Sequence, residues 1–150
     1  MNEIQILNDY IIDMFANNDL VNTISIVPTF NIDLNKENIY PLVNIDLIDS
    51  DIQADVIVAS FEITAVQQRD VKKKVLNSKL LEDSNYLDNM NETHFVVSKF
   101  INQLQKQNNE FNIEISNISN IRFLKMWGLN GLDGCQFTID LSIPILGSSC

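Results

Sequence analysis

The C-terminal part of the chain contains nine residues in which apolar and polar side chains alternate without exception. The apolar positions are Cys135, Phe137, Ile139, Leu141 and Ile143, and the polar positions between them are Gln136, Thr138, Asp140 and Ser142. A period of two over this length is typical of a β-strand with one buried side and one solvent-facing side. The residues before it, 128–134, contain an Asn-Gly step and an Asp-Gly step, which favour turns because these residues reach positive φ easily. The sequence therefore predicts a hairpin over 121–144 whose apolar face other elements must cover.

Upstream of this hairpin the hydrophobic pattern changes between helical and strand-like periods. Residues 3–16 place apolar side chains at spacings of three and four, which predicts an amphipathic helix, and a second helix is predicted to begin with Asn91 as its N-cap. Strands are predicted over 21–30, 40–47, 54–66 and 111–118, with a turn at 48–53. The predicted fold class is α+β, a mostly antiparallel sheet with two helices packed on one face and a long arm-like loop.

The balance of charges limits the classes of partner. The 150 residues suit a single domain over 1–150, and twenty acidic against ten basic side chains give a formal net charge of -10. Phosphate binding needs a basic surface, so this composition argues against a nucleic-acid-binding body. It does not exclude a protein past which nucleic acid slides without sticking.

Signals for targeting and for disulfides are sparse. Cys135 and Cys150 are too few for a disulfide framework, and we expect both to be free thiols in a reducing compartment. The first residues carry no basic segment followed by a long apolar run, and no stretch approaches the roughly 20 apolar residues of a membrane span. The sequence therefore predicts a soluble intracellular protein with no membrane partner.

The segment at about 67–88 departs from the periodicity and the charge of its surroundings. It lacks a clear helical or strand period, which predicts a long loop or arm, and it contains half of the ten basic residues. These candidate oligomer-interface residues are Arg69, Lys72, Lys73, Lys74 and Lys79. Three interpretations stay open: a solvated flexible loop, an arm that docks on the acidic body of another copy, or transient contact with DNA phosphate.

No residue pattern indicates a catalytic residue, a cofactor or a metal. His94 is the only histidine and has no second acid–base group at a telling spacing, and Cys135 occupies an inward strand position with no identifiable base. An acidic run near the predicted 48–53 turn lacks the ligand spacing and the glycine of an EF-hand calcium loop. That run consists of Asp46, Asp49, Asp51 and Asp55. Residues 128–134 lack the Lys-Ser/Thr pair of a phosphate-binding loop, so we expect a protein that is not an enzyme.

The order of these elements and two distinctive segments resemble a known protein family. The segments are residues 91–101, which read Asn-Glu-Thr-His-Phe-Val-Val-Ser-Lys-Phe-Ile, and residues 131–144, which read Gly-Leu-Asp-Gly-Cys-Gln-Phe-Thr-Ile-Asp-Leu-Ser-Ile-Pro. With an N-terminal amphipathic helix, a hairpin and a long loop before them, the layout is similar to that of the tail-completion proteins of tailed phages. These are neck and tail-terminator ring proteins of the lambda U type. The abundance of Ile and Asn, which AT-rich codons favour, would suit a crAss-like phage of a Bacteroides-like host.

The resemblance implies a structural virion protein without catalytic residues. It implies a homo-oligomeric ring of six or twelve copies in the neck or tail, assembled in the host cytoplasm and bound to neighbouring portal, neck and tail proteins. DNA would pass through the lumen without specific binding, and an acidic chain suits this because a basic wall would hold the phosphates. The arm at about 67–88 would reach a neighbouring subunit or ring.

Two other function classes stay open. One is a small enzyme that uses Cys135 or the aspartate turn, which Cys135→Ser and multiple Asp→Asn variants would test. The other is a monomeric adaptor or inhibitor from a mobile element that binds a host protein through an exposed sheet edge. A discrete multi-subunit ring would count against the adaptor.

Overall fold

A computed structural model describes residues 2–34, 39–69, 71–72, 83–106, 109–128 and 131–145 of the chain. The N-terminal elements are helix α1 (Glu3–Ala16), strand β1 (Thr23–Ser25), a 3-10 helix (Thr29–Leu34), β2 (Leu42–Gln53) and β3 (Val56–Gln68). The C-terminal elements are β4 (Val71–Lys72), β5 (Asp83–Ser84), helix α2 (Tyr86–Lys106), β6 (Glu114–Ile118), β7 (Arg122–Trp127) and β8 (Leu132–Pro144). Two helices and a six-stranded, mostly antiparallel sheet confirm the predicted α+β class.

The sheet is built around the pair formed by β3 and β8. The strand order is β1-β2-β3-β8-β6, and β7 also pairs with β8. The ladder between β3 and β8 is antiparallel and runs from Val56 opposite Pro144 to Gln68 opposite Leu132. β1 pairs in parallel with the first residues of β2, and β4 and β5 form a separate two-stranded ladder. The predicted hairpin over 121–144 is confirmed as β7 and β8.

One face of the sheet is apolar and shares a hydrophobic core with both helices. The inward residues of β8 are those that the alternation predicts, and β3 supplies their cross-strand partners, such as Ile63 opposite Phe137. Phe100 of α2 joins the layers: its ring stacks on Phe15 of α1 at 4.4 Å between centroids and lies 6.2 Å from the ring of Phe137. Burying one such phenyl ring contributes about 1.5–3 kcal/mol.

A smaller hydrophobic cluster covers part of the opposite face. It lies where β3 ends and β8 begins, and the 3-10 helix contributes to it. Its buried members are Ile32, Leu42, Val66, Leu124 and Leu132. Beyond this cluster the same face is mostly polar, with Val56 and Val58 of β3 as apolar exceptions.

The predicted turn at 48–53 is wrong, because strand pairing continues through it. β2 extends to Gln53 and stays paired with β3, while a bulge at Ile48 absorbs one extra residue between Leu47 and Asp49. The turn lies at residues 54–55, where Ala54 has a φ of 48°. A cluster of aspartates is a common turn signal, but here the opposite strand supplies partners that outweigh it.

Strand and helix occupy both ends of the predicted arm at 67–88, and its residues 70 and 73–82 lie outside the described residues. β3 continues through Gln68, and α2 begins at Tyr86, before the predicted cap Asn91. Two predicted strands are also shorter: β1 covers three residues of 21–30, and β6 begins at Glu114 instead of residue 111. Before β6, Asn112 has a φ of 56° and the side chain of Asn109 bonds to the backbone of Ile113, which makes a turn there.

Candidate functional site: the root of the arm and the acidic face of the sheet

The chain leaves the sheet at the end of β3 and returns at the start of α2, and the predicted arm lies between these points. At its base the ladder of β4 and β5 pairs Val71 with Ser84 and Lys72 with Asp83. A group of residues fixes both ends of this segment to the body of the domain. We call this group the arm root, and its members are Gln68, Arg69, Tyr86, Asn89 and Asp133.

Asp133 is the centre of the arm root. Its side chain has no exposed surface. It accepts hydrogen bonds from Arg69 Nε (2.9 Å), Arg69 Nη2 (2.8 Å), the Met126 backbone N–H (3.0 Å) and Asn89 Nδ2 (3.3 Å). The two bonds from Arg69 form a bidentate ion pair, the arrangement in which a planar guanidinium matches a carboxylate best. The Arg69 backbone N–H also donates to the Gly131 carbonyl oxygen at 3.2 Å, which fixes the chain as it leaves β3.

Further contacts join the two ends of the arm to each other. The Gln68 carbonyl oxygen accepts hydrogen bonds from Asn85 Nδ2 (3.3 Å) and Asn89 Nδ2 (3.1 Å), which links the last residue of β3 to the start of α2. The Arg69 guanidinium lies 4.7 Å from the centroid of the Tyr86 ring, within the range of a cation–π interaction. The arm therefore leaves the domain from a fixed base.

The environment of Asp133 keeps it charged. Burial alone raises the pKa of Asp133, but the hydrogen bonds from Arg69, Met126 and Asn89, with the charge of Arg69, hold that pKa below the ordinary aspartate value of 3.8. Each of these donors favours the carboxylate over the carboxylic acid. The Arg69–Asp133 pair is therefore ionised across the neutral pH range.

Of the five basic residues that were predicted as an oligomer interface, the structure describes Arg69 and the backbone of Lys72. Arg69 lies in the arm root, where its guanidinium bonds to Asp133 of the same chain, so it holds the arm and is not available as a docking charge. Lys72 lies in β4 at the base of the arm. Lys73, Lys74 and Lys79 lie outside the described residues.

Opposite the large core, one face of the sheet carries carboxylates on four strands, and we call it the acidic face. The cross-strand register sets them side by side, with Asp46 opposite Glu62 and Asp140 opposite Ser60. Its carboxylates are Asp46, Asp49, Asp51, Glu62, Glu114 and Asp140. Arg122, opposite Gln136, adds a positive charge to this face.

Neutral donors bind the half-buried carboxylates of the acidic face. The Thr29 backbone N–H donates to Asp46 Oδ2 at 3.0 Å, and the Thr29 hydroxyl donates to Glu62 Oε1 at 2.6 Å. Ser60 Oγ donates to Asp140 Oδ1 at 2.6 Å. Within the part of the chain that the structure describes, none of these three carboxylates has a cation at ion-pair distance. Their negative charge is therefore left uncompensated at short range.

A cavity of about 430 Å³ opens on the acidic face. Glu62, Gln136 and Arg122 contribute to its lining. The Gln136 amide links these groups: its Nε2 donates to Glu62 Oε1 at 3.3 Å and to Thr64 Oγ1 at 3.1 Å, and its Oε1 accepts from Arg122. The Gln136 amide therefore lies between the Arg122 guanidinium and the Glu62 carboxylate. The lining of the cavity includes a positive, a negative and a neutral polar group.

The two residues weighed as catalytic candidates lie in different environments, one buried and one exposed. Cys135 is buried, as its inward strand position predicts. Burial raises the pKa of its thiol above the ordinary 9.0, although the Thr93 hydroxyl, 3.5 Å from the sulfur, acts in the opposite direction. His94 is exposed on α2, where its ring lies 5.9 Å from that of Phe123 and its Nδ1 lies 3.3 Å from Ser98 Oγ. The thiol is thus protonated at neutral pH and packed in the core, where it behaves as a small apolar side chain.

The aspartate run lies along β2 and in the turn that follows it. Asp49, Asp51 and Asp55 are exposed along the outer part of β2 and its turn, and Asp46 is bound by Thr29. Among the described residues, no three His, Cys, Asp or Glu side chains come close enough to hold a metal ion.

Asp133 and Asn89 are the residues of the arm root that the sequence patterns did not single out. Asp133 was counted only as part of an Asp-Gly turn signal, and it lies in β8. Its partner Arg69 is 64 residues away, so only the ladder between β3 and β8 brings the two together. No local pattern records a contact over such a separation.

Comparison with known proteins gave no relative from which a function can be transferred. A scan against protein-family models and a search of curated proteins both found no match to this sequence. Over the ranges that the structure describes, no helix has both the length and the apolar character needed to cross a bilayer. Function is therefore inferred from the fold, the arm root and the distribution of charge.

Proposed function

We propose that this chain is a non-enzymatic structural protein of a tailed phage. In this proposal it forms a homo-oligomeric ring in the neck or tail, connects the portal to the tail and lets DNA pass through its lumen. The order of the elements suggests this role through the family resemblance. The observation that carries the proposal is the arm root, because it anchors a lysine-rich segment at both ends on an otherwise acidic domain.

The buried ion pair of the arm root supports a role for the arm in assembly. A buried ion pair seldom adds net stability compared with apolar residues of similar size, and its best-attested benefit is to fix one geometry. Here the fixed geometry is the point and direction in which the arm leaves the domain. A solvated loop does not need such an anchor, whereas an arm that meets a neighbouring subunit loses less conformational freedom on binding if its base is already held.

The charge of the chain supports the passage of DNA. The net charge is -10, and among the described residues hydroxyl and backbone N–H donors, not cations, bind the half-buried carboxylates of the acidic face. Double-stranded DNA carries about one negative charge per 1.7 Å of its axis, so a wall of this kind repels it. A ring of such subunits would let DNA slide without holding it.

The arm itself gives the test. Replacing residues 73–82 by Asn-Gly joins β4 to β5 through a two-residue hairpin turn and leaves the arm root intact. We expect this variant to fold, with a circular dichroism spectrum and thermal midpoint close to those of the wild type, and to lose the rings seen by negative-stain electron microscopy. The control K99A/K106A removes two lysines from α2, outside the arm, and should keep the rings.

Two outcomes would count against the proposal. Rings that form equally well without residues 73–82 would show that the arm is not an assembly element. If the wild-type chain forms no rings under conditions in which it and K99A/K106A are folded, the proposal that the chain forms a ring is wrong.

The second candidate function is a monomeric adaptor or inhibitor that binds a host protein through a sheet edge. It is favoured by the outer edge of β2, which beyond Asn44 pairs with no strand in the described part of the chain. Strand addition to such an edge is a common mode of peptide recognition. A chain that stays monomeric and binds an extended peptide along β2 would favour this function over the ring.

A further inference from the structure

β2 presents an open edge along most of its length. One side of the strand pairs with β3 from Leu42 to Gln53, whereas on the other side β1 covers only Leu42, Val43 and Asn44. Among the described residues no strand pairs with this side of the remainder, so the backbone N–H and C=O groups over 45–53 that face away from β3 have no ladder partner there. We call residues 45–55 the β2 edge.

The side chains of the β2 edge combine acidic and aliphatic character. Residues 45–55 contain four aspartates and no basic residue. Natural sheet edges often carry charges that prevent pairing with other chains, and the aspartates alone fit that purpose. The exposed isoleucines do not: Ile48 is 49% exposed and Ile52 is 71% exposed. An edge that keeps aliphatic side chains in water is better explained by an occupant.

The arm has the complementary chemistry. Residues 71–76 read Val-Lys-Lys-Lys-Val-Leu, so three consecutive lysines are flanked by aliphatic residues, and Lys79 follows. Lysines beside the aspartates and aliphatic side chains beside Ile48 and Ile52 would satisfy both components of the β2 edge. Of the interpretations left open by the sequence, the arm that docks on an acidic body is the one this match favours.

Lys74 cannot reach Asp51 of the β2 edge in its own chain. Asp51 pairs with Val58, which is ten residues before Gln68 along β3. At a strand rise of about 3.3 Å per residue, Asp51 lies about 33 Å from the arm root. Lys74 follows Arg69 by five residues and can lie at most about 17 Å from it, even in a fully extended chain. A contact between Lys74 and Asp51 must therefore join two copies.

We propose that the arm of one copy docks along the β2 edge of the next copy, with its lysines beside Asp49 and Asp51. This inference rests on the proposed function, because it requires that the chain self-assembles. The arm and the edge lie towards opposite ends of β3, so the contact is head-to-tail, and contacts of this type close into rings when the rotation allows. Every subunit gives one arm and receives one.

Charge reversal on each side tests the contact. D49K/D51K places lysines on both sides of the proposed contact, and K73E/K74E places carboxylates on both sides. We expect each variant alone to give only the 17.1 kDa single-chain mass by light scattering on a gel-filtration column. An equal mixture should regain the wild-type mass, because each arm then meets an edge of opposite charge.

The control places the same change of charge on another surface. Asp9 and Asp13 are exposed on α1, so D9K/D13K alters the net charge as much as D49K/D51K does. It should keep the wild-type mass, so a loss of assembly in D49K/D51K is then due to the β2 edge and not to the change of net charge. Circular dichroism of all three variants checks that each is folded.

The outcomes separate this inference from the proposed function. If D49K/D51K keeps the wild-type oligomeric mass, or if the equal mixture stays monomeric, docking on the β2 edge is wrong while self-assembly stands. If the wild type itself has only the single-chain mass, both are wrong.

Discussion

Four donors converge on the Asp133 carboxylate, and an amide has only one oxygen to accept them. We therefore expect Asp133→Asn to leave donors of Arg69, Asn89 or Met126 without an acceptor and to leave the largely buried guanidinium without its anion. Removing one partner of a buried ion pair lowers the free energy of unfolding by about 3–5 kcal/mol. Urea denaturation followed by circular dichroism measures the loss.

An exposed aspartate gives the matched control for this change. Asp13→Asn removes a carboxylate from the surface of α1, away from the arm root and the acidic face, and should change the free energy of unfolding by no more than about 0.5 kcal/mol. If Asp133→Asn costs no more than Asp13→Asn, the ion pair does not hold the arm root.

The pH dependence of stability should report the same carboxylate. Burial acts to raise the pKa of Asp133, but its hydrogen bonds and the Arg69 charge leave it below the unfolded value of 3.8. A carboxyl group with a lowered folded-state pKa stabilises the fold fully above the unfolded pKa, and this contribution falls as the pH drops through the folded pKa. The difference in free energy of unfolding between wild type and Asp133→Asn should therefore be constant near neutrality and shrink below about pH 4. A difference that stays constant down to pH 2 would contradict this assignment.

Single residues differ in how well the sequence predicts their roles. The inward position of Cys135 follows from a period of two, which needs only its immediate neighbours. Arg69 was grouped with the lysines because they form one run of positive charge. Its ion pair with Asp133 depends on the register between β3 and β8 over 64 residues, and no local pattern contains that register.

At the scale of elements, the approach of β3 to β8 depends on one glycine. A Cβ at Gly134 would lie 1.9 Å from the Ala65 carbonyl oxygen and 2.9 Å from Val66 Cα. These are backbone atoms of the central ladder, so they cannot rotate aside as a side chain can. We expect Gly134→Ala to lower the free energy of unfolding by about 3 kcal/mol or more, measured by thermal or urea denaturation.

A second residue of the same strand serves as the control. Ser142 is half-buried in β8, and Ser142→Ala removes only a weak bond of 3.4 Å to the Glu114 carbonyl oxygen. Its cost should stay within about 1 kcal/mol. If Gly134→Ala is as stable as the wild type, β3 and β8 do not approach each other at Gly134 as closely as these distances state.

Elements with strong local periods were predicted best, and boundaries set by tertiary contacts were not. The hairpin of β7 and β8 was predicted because alternation and turn residues agree there. The extension of β2 through the aspartate run was missed, since β3 supplies the pairing that overrides the turn signal. The early start of α2 was missed for a similar reason: Asn85 and Asn89 cap the end of β3, a contact that the sequence around them does not reveal.

At the scale of the whole molecule, the central feature is a separation of charge. The chain carries a net charge of -10, yet three consecutive lysines, 72–74, follow the C-terminal end of β3. The exposed aspartates of β2 lie beside the other end of β3. If these surfaces hold the assembly together, salt should dissociate it. From about 0.1 M to about 1 M salt the screening length falls from about 10 Å to about 3 Å, and we expect the assembled fraction to fall with it.

The salt experiment needs a control, because salt could destabilise the folded domain instead of the contact between the arm and the β2 edge. K73E/K74E is expected to be monomeric, so its thermal midpoint reports the effect of salt on the domain alone. An assembly that is unchanged across this range of salt would indicate a contact that is mainly apolar, against the proposed pairing of lysines with aspartates.

The most direct measurement is the mass of the wild-type chain in solution, by light scattering across a gel-filtration peak at several concentrations. Head-to-tail assembly into a ring predicts one discrete species of six or twelve times the 17.1 kDa chain, with its mass independent of concentration once formed. A mass of 17.1 kDa at every concentration, or a mass that rises continuously without a limit, would contradict a closed ring built from this chain alone.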